Sequence, residues 1–156
     1  MQKKGFISCT SAKRRFEHKG VTNEGVIVLD DYAHHPTEIS ATLKAAKNTP
    51  HNEIWCVFQP HTYTRTYALL DKFAESLSVC DHVVLADIYA AREKDTGKVS
   101  SKDLADKINS LGGNAEYIGD FLSIEKFLQK NCKKNDLLIT MGAGNVDFIG
   151  ESLLKK

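Results

Sequence analysis

A chain of 156 residues is the size of one domain with a sizeable core. With 21 Lys and Arg against 20 Asp and Glu, the net charge is +1, so no global field draws it to nucleic acid or an anionic membrane surface. No apolar run approaches a membrane-spanning length, and Cys9, Cys56, Cys80 and Cys132 are widely spaced with no C-x-x-C pair, which argues against a zinc site and for a reducing, cytoplasmic setting.

The first 25 residues are the least patterned. Lys3, Lys4, Lys13, Arg14, Arg15 and Lys19 face only Glu17 in the first twenty residues, and the polar start has no apolar stretch of a secretory signal. Arg14 to His18 reads as an edge strand, and the polar segment from Lys19 to Gly25, with two glycines, as a hairpin loop. Val26 to Leu29 is an apolar run of buried-strand type. Pro36 opens a helix with Ile39, Leu43 and Ala46 on one face, and Pro50 marks its exit. Ile54 to Phe58 is a second buried strand, with Cys56 as a buried thiol. Thr64 to about Cys80 reads as one helix, buried through Leu69, Phe73 and Leu77. Val83 to Ile88 is the next strand, and the charged segment 90–99 is a loop. Ser100 with Asp103 resembles a capping box for a helix whose apolar face is Leu104, Ile108 and Leu111, closed by Gly112-Gly113. Ala115 to Ile118 is a short strand, and Asp120 caps a helix buried through Phe121, Ile124 and Leu128. Leu137 to Thr140 is the last strand, and Met141 to Asn145 turns it into a terminal helix carrying Phe148, Ile149 and Leu153. Strands alternating with helices of ten or more residues imply a Rossmann-like, three-layer α/β domain. Its sheet is mostly parallel with an antiparallel N-terminal edge strand, and helices cover both faces.

Three segments carry candidate chemistry, each where a strand hands over to a helix. The first is Asp30-Asp31-Tyr32-Ala33-His34-His35-Pro36. Two carboxylates, a phenol and two imidazoles suit a ligand site at the carboxyl end of a strand. The same residues also suit a capped junction in which the aspartates hold backbone N–H groups and the histidines are solvated. A metal set of Asp31, His34 and His35 is disfavoured, because adjacent histidines rarely converge on one ion. The second segment runs from Gln59 to Thr66 and brings His61, Tyr63 and Arg65 to the same sheet edge. Arg65 falls in the first turn of its helix, where a cation opposes the helix dipole, so an anionic ligand belongs near it. A surface arginine behind a capping threonine is the plainer alternative. The third is Gly142-Ala143-Gly144-Asn145, which would let backbone approach a ligand but is too short for G-x-G-x-x-G. Gly97-Lys98 is no P-loop, since Arg92 and Val99 stand where Gly and Ser/Thr are required.

The segments DDYAHHPTEI, QPHTYTRT and MGAGN, in this order and spacing, resemble the C-terminal domain of the Mur ligases. Arg14-Arg15-Phe16-Glu17 and Asp87-Ile88-Tyr89-Ala90-Ala91-Arg92-Glu93 add to the likeness, which runs from about residue 13 almost to the end. The resemblance implies that residues 1–156 are one domain, the third and amino-acid-binding one. The UDP-sugar-binding and P-loop ATP-binding domains lie outside this chain, and without them the isolated domain is expected to be inactive. It implies a cytoplasmic ligase of peptidoglycan-precursor synthesis acting on UDP-N-acetylmuramate, L-alanine and ATP through an acyl phosphate. Its partners would be its own N-terminal and central domains, with Mg2+ and most of the ATP held by the central one. Arg15 would reach the ATP phosphates and Asp31 the ribose hydroxyls. Tyr32, His34, His61 and Arg65 would line the alanine pocket, with Arg65 on the carboxylate and His34 as catalytic base. Position 62 is Thr where some members carry a second arginine. The QPHTYTRT segment favours an alanine-adding member over the peptide-recycling one, which shares the first signature. A stand-alone nucleotide- or anion-binding module remains the alternative from another class.

Overall fold

The computed structural model describes residues 14–156. Lys3, Lys4, Cys9 and Lys13 lie outside the described residues. Strands β1 (Glu17–Val21), β2 (Ile27–Asp31), β3 (Ile54–Phe58), β4 (His82–Ala86), β5 (Ala115–Gly119) and β6 (Leu137–Met141) form one sheet in the order β1-β2-β6-β3-β4-β5. β1 is antiparallel to β2, and every other pairing is parallel. The helices are α1 (Pro36–Lys47), α2 (Tyr63–Ala68), α3 (Leu70–Leu77), α4 (Ser101–Ser110), α5 (Phe121–Asn131) and α6 (Asp147–Leu154).

Handedness decides which helix covers which face. The crossovers β2 to β3, β3 to β4 and β4 to β5 all run away from β1, and right-handed connections put their helices on one side. There Ile39 and Leu43 of α1, Phe73 and Leu77 of α3, and Leu104 and Ile108 of α4 pack on Leu29, Cys56, Phe58, Leu85 and Ile139. The crossover from β5 to β6 runs backwards, so α5 falls on the opposite side. Ile124, Leu128, Ile149 and Leu153 of α5 and α6 cover Val28, Trp55, Val57, Val84 and Leu138 there. Successive strand residues alternate between the two cores, as the pleat requires.

Several boundaries differ from the sequence reading. The edge strand begins at Glu17, not Arg14, because Arg14 and Phe16 take positive φ (59° and 49°) and bend the chain towards β2. β2 continues through Asp30 and Asp31, whose side chains find partners inside the fold. The long helix after Thr64 is two helices, broken at Leu69 (φ −115°, ψ 21°). Adjacent residues of one helix point about 100° apart, whereas the break lets both Leu69 and Leu70 pack on the core. Phe148 was expected on the apolar face of α6 but is 57% exposed.

The caps follow the sequence. Ser100 Oγ accepts from Asp103 N–H while Asp103 Oδ2 accepts from Ser100 N–H, and Asp120 Oδ2 accepts from Ser123 N–H. At the opposite sheet end from the glycine loop, buried Asp136 accepts four bonds, from Asn52 Nδ2, Trp55 Nε1 and the N–H groups of Glu53 and Lys133. Asp136→Ala would strand these donors. It is expected to lower the unfolding free energy by about 3 kcal/mol. Urea denaturation reads this directly, and an unchanged midpoint would mean the donors find other partners.

Candidate functional site

β6 reaches the sheet last and lies between β2 and β3. The loops leaving β2 and β3 therefore rise to the α1–α4 face, and the loop leaving β6 turns to the α6 face. A crevice opens where neighbouring loops part, at the carboxyl ends of the strands. All three nominated segments fall at this crevice: residues 30–36 at the end of β2 and just beyond it, 59–66 after β3, and 142–145 after β6.

In the first segment the two aspartates face inward. Asp30 is 1% exposed and accepts from Arg14 Nε and Thr140 Oγ1 at 2.8 and 2.7 Å. Burial pushes its carboxyl up, while Arg14 and Thr140 pull it part of the way back. Asp31 Oδ1 accepts from Ala33 N–H and Oδ2 from Phe16 N–H, both at 2.8 Å. Each oxygen keeps a lone pair for a ligand hydroxyl, but much of the reading as a backbone-holding junction is also met. Tyr32 is exposed. His34 Nδ1 lies 3.1 Å from the Tyr32 carbonyl. A carbonyl only accepts, so Nδ1 carries the proton and Nε2 is the free acceptor. His35 is the N-cap of α1, its N–H donating to Glu38 Oε1. Among the described residues no group of three His, Cys, Asp or Glu is placed to hold a metal ion.

In the second segment Thr62 sits at φ 67°, ψ 147°, a region that costs a β-branched residue on the order of 1–3 kcal/mol. Its surroundings hold it there. Thr62 N–H donates to the Tyr89 carbonyl, Tyr89 N–H to that of Pro60, Thr66 Oγ1 to that of Thr62, and Thr62 Oγ1 accepts from Arg65 N–H. Threonine at 62 thus caps α2 where an arginine would not. Arg65 Nη1 lies 3.5 Å from His61 Nδ1, and among the described residues no Asp or Glu pairs with this guanidinium. Because α2 has six residues, Arg65 is within a turn of both ends, and the helix-dipole argument loses its force. The case for an anion rests instead on the missing carboxylate. His61 is held below the usual imidazole range, first by burial, then by the Arg65 and His34 charges, against a smaller upward pull from Glu93.

The structure brings Tyr32, His34 and His61 together in one row. Ring centroids are 5.3 Å apart for Tyr32–His34 and 5.9 Å for His34–His61. The row continues to Tyr89, which stacks on His61 at 5.5 Å and 12°. The resemblance flagged the loop holding Tyr89 but gave Tyr89 no role; the stack depends on a pairing between loops that no sequence periodicity encodes. Arg15 is exposed, whereas Arg14 is turned inward. The glycine loop is packed rather than open. Asn145 N–H donates to Gln59 Oε1, and a Cβ on Gly144 would lie 2.5 Å from that oxygen and 2.7 Å from the Tyr89 ring.

The switch point of this doubly wound α/β sheet brings together Arg65, which has no carboxylate partner among the described residues, the imidazoles of His34 and His61, and the buried Asp30 and Asp31, at the place where open α/β sheets bind ligands. Residues 14–144 match the family described as Mur ligase, glutamate ligase domain, and the chain belongs to that family. The UDP-N-acetylmuramate–L-alanine ligase of Lachnoclostridium phytofermentans is 56% identical over 154 residues, covering 99% of this chain and 33% of its own length. The UDP-N-acetylmuramate–alanine ligase of Thermotoga maritima has a crystal structure matching at TM-score 0.72 and 30% identity, over 91% of this chain and 29% of that one. The murein peptide ligase of Psychrobacter arcticus matches equally well in fold, at TM-score 0.72 and 27% identity, over 92% of this chain and 29% of that one. The chain spans about a third of the length of the curated relatives it matches.

The His61 environment has a measurable consequence. Its ring is expected to titrate below 6.5 in an NMR pH series, and Arg65→Ala should move it back only part of the way, since burial is the larger cause. A depressed imidazole is stabilising in its neutral form, so this contribution is present above the unfolded-state value and is lost as pH falls through the folded one. A His61 titration at or above the free-imidazole value would contradict this geometry.

Proposed function

We propose that this chain is the C-terminal, amino-acid-binding domain of a UDP-N-acetylmuramate–L-alanine ligase, a cytoplasmic enzyme of peptidoglycan-precursor synthesis. The observation that carries the proposal is the Arg65 guanidinium, without a carboxylate partner among the described residues, beside the neighbouring imidazoles of His61 and His34. The 56% identity to a ligase of that name supports the choice of amino acid.

The reading assigns roles as follows. The L-alanine carboxylate pairs with Arg65. Neutral His61 accepts at Nδ1 from Arg65, so its Nε2–H is a second donor to the same carboxylate. The alanine ammonium faces His34 Nε2, the ring nitrogen left unprotonated by the bond from Nδ1 to the Tyr32 carbonyl. His34 takes one ammonium proton and becomes imidazolium, which frees the amine lone pair to attack the acyl-phosphate carbon; the tetrahedral intermediate then breaks its C–O bond to phosphate and loses a further N–H proton, giving the amide and inorganic phosphate. Tyr32 walls the ammonium side. ATP supplies the phosphoryl group that activates the muramyl carboxylate. Exposed Arg15 would meet its phosphates, and Asp31, with a lone pair left on each oxygen, its ribose hydroxyls. The UDP-sugar, Mg2+ and most of the ATP would be held by two further domains, and their closure onto this edge would keep water from the acyl phosphate.

The test joins this chain to UDP-sugar-binding and P-loop domains and follows phosphate release with UDP-N-acetylmuramate, ATP and Mg2+. Release should depend on L-alanine. Arg65→Ala should raise KM for alanine about 10- to 100-fold, the loss of a charge-assisted pair. His34→Ala should lower kcat about 100-fold or more with little change in that KM. Release driven by a murein tripeptide and not by alanine would move the assignment to the recycling ligase, whose fold matches as well.

A further inference from the structure

Arg14 makes the densest set of polar contacts near the crevice. Nε donates to Asp30 Oδ2, Nη1 to the Gly144 carbonyl and Nη2 to the Gly142 carbonyl, each at 2.8 Å. Nη2 also lies 3.7 Å from Asp147 Oδ1, and the guanidinium carbon sits 5.2 Å from the centre of the Tyr32 ring. The backbone is bound as tightly. Tyr32 N–H donates to the Arg14 carbonyl, Arg14 N–H to Glu17 Oε1, and Phe16 N–H to Asp31 Oδ2.

We propose that Arg14 is a positioning residue: it clamps the chain leading into the domain against the β2 and β6 loops and so aims Arg15 and Tyr32 into the crevice. The inference rests on the ligase reading for what those two residues meet. Three observations separate Arg14 from a phosphate ligand. Its N–H groups point at two carbonyls and a carboxylate within the domain. Its main ionic partner, Asp30, is 1% exposed, and a buried carboxylate stripped of its cation is strongly unfavourable, so the pair must persist whether or not a ligand is bound. Arg15, the next residue, is exposed. Arg14 and Phe16, on either side of Arg15, both take left-handed backbone (φ 59° and 49°).

The geometry also says why arginine stands here. Three acceptors diverge around a planar fork, and a lysine ammonium could meet one or two of them but not all three. With Arg14 on the Gly142 and Gly144 carbonyls and Gln59 on the Asn145 N–H, the glycine loop is pinned from both sides. The same clamp ties together Asp31, Tyr32 and the lead-in segment, so the groups assigned to nucleotide and to amine share one anchor.

The test is a double-mutant cycle in the three-domain ligase, with Arg14→Lys, Arg14→Ala and Arg15→Ala, reading KM for ATP, KM for L-alanine and kcat. Arg14→Lys and Arg14→Ala should each raise KM for ATP about tenfold or more and raise KM for alanine by a smaller factor, through Tyr32 alone, because Arg65 and His61 belong to another loop. If Arg14 acts through Arg15, the Arg14→Ala/Arg15→Ala double variant should be no worse than Arg15→Ala alone. Guanidinium ion should restore part of the Arg14→Ala loss and none of the Arg15→Ala loss. Additive effects in the cycle, or an unchanged KM for ATP in both Arg14 variants, would overturn the proposal. Should Arg14→Ala not fold, Arg14→Lys completes the cycle. If the wild-type protein shows no alanine-dependent phosphate release, the ligase reading fails by itself. The clamp is then judged on the ligand-free chain, where Arg14→Lys must shift the amide resonances of Tyr32, Gly142 and Gly144; unmoved resonances would overturn it.

Discussion

Because β6 arrives last and wedges between β2 and β3, the chain leaves neighbouring strands towards opposite faces of the sheet, and a crevice opens between the departing loops. The right-handedness of each crossover enforces this: three helices-bearing connections run one way and one runs back. The Arg14 clamp and the pinned glycine loop owe their place to that insertion. Arg14 can reach the Gly142 and Gly144 carbonyls only because β6 lies beside β2, and Gln59 can meet Asn145 only because β3 flanks β6 on the other side.

Around this crevice the charges fall into two kinds. Asp30 and Arg14 satisfy each other in a buried pair, and Asp31 holds two backbone N–H groups. Those groups build the site. Arg65 and the free nitrogens of His34 and His61 are instead left with capacity that the described residues do not fill. The strained Thr62 backbone sits between the two kinds. Its bonds to Tyr89 and to α2 hold a costly conformation in place, and that conformation sets His61 and Arg65 side by side. Strain held this way, next to groups with unmet capacity, is the pattern expected where structure serves binding.

Much of this was legible in the residues. Apolar runs located β3 to the residue, the apolar period gave α1 and α4, and Ser100 and Asp120 named their own caps. The three candidate segments stand out in the sequence because unlike polar groups rarely gather at strand ends. What could not be read depends on the third dimension. The break at Leu69 has no Gly or Pro to announce it and answers to a core that two adjacent leucines both reach. The choice between Arg14 and Arg15 turns on positive φ values that no side-chain type required. Tyr89 joined the row through two loop-to-loop hydrogen bonds, and Phe148 points outward although its period placed it inward.

On the proposed reading, the edge formed by His34, His61 and Arg65 receives an amino acid by its carboxylate and ammonium together. The most direct measurement is an NMR titration of the chain with L-alanine, raised to on the order of 10 mM to cover a millimolar dissociation constant, following the histidine ring nitrogens and Arg65 Nε. His34, His61 and Arg65 should shift on one common binding curve while His51 and His82, at the other end of the sheet, stay still. Shifts at His82 without shifts at His34 and His61, or silence at all three site residues, would contradict it.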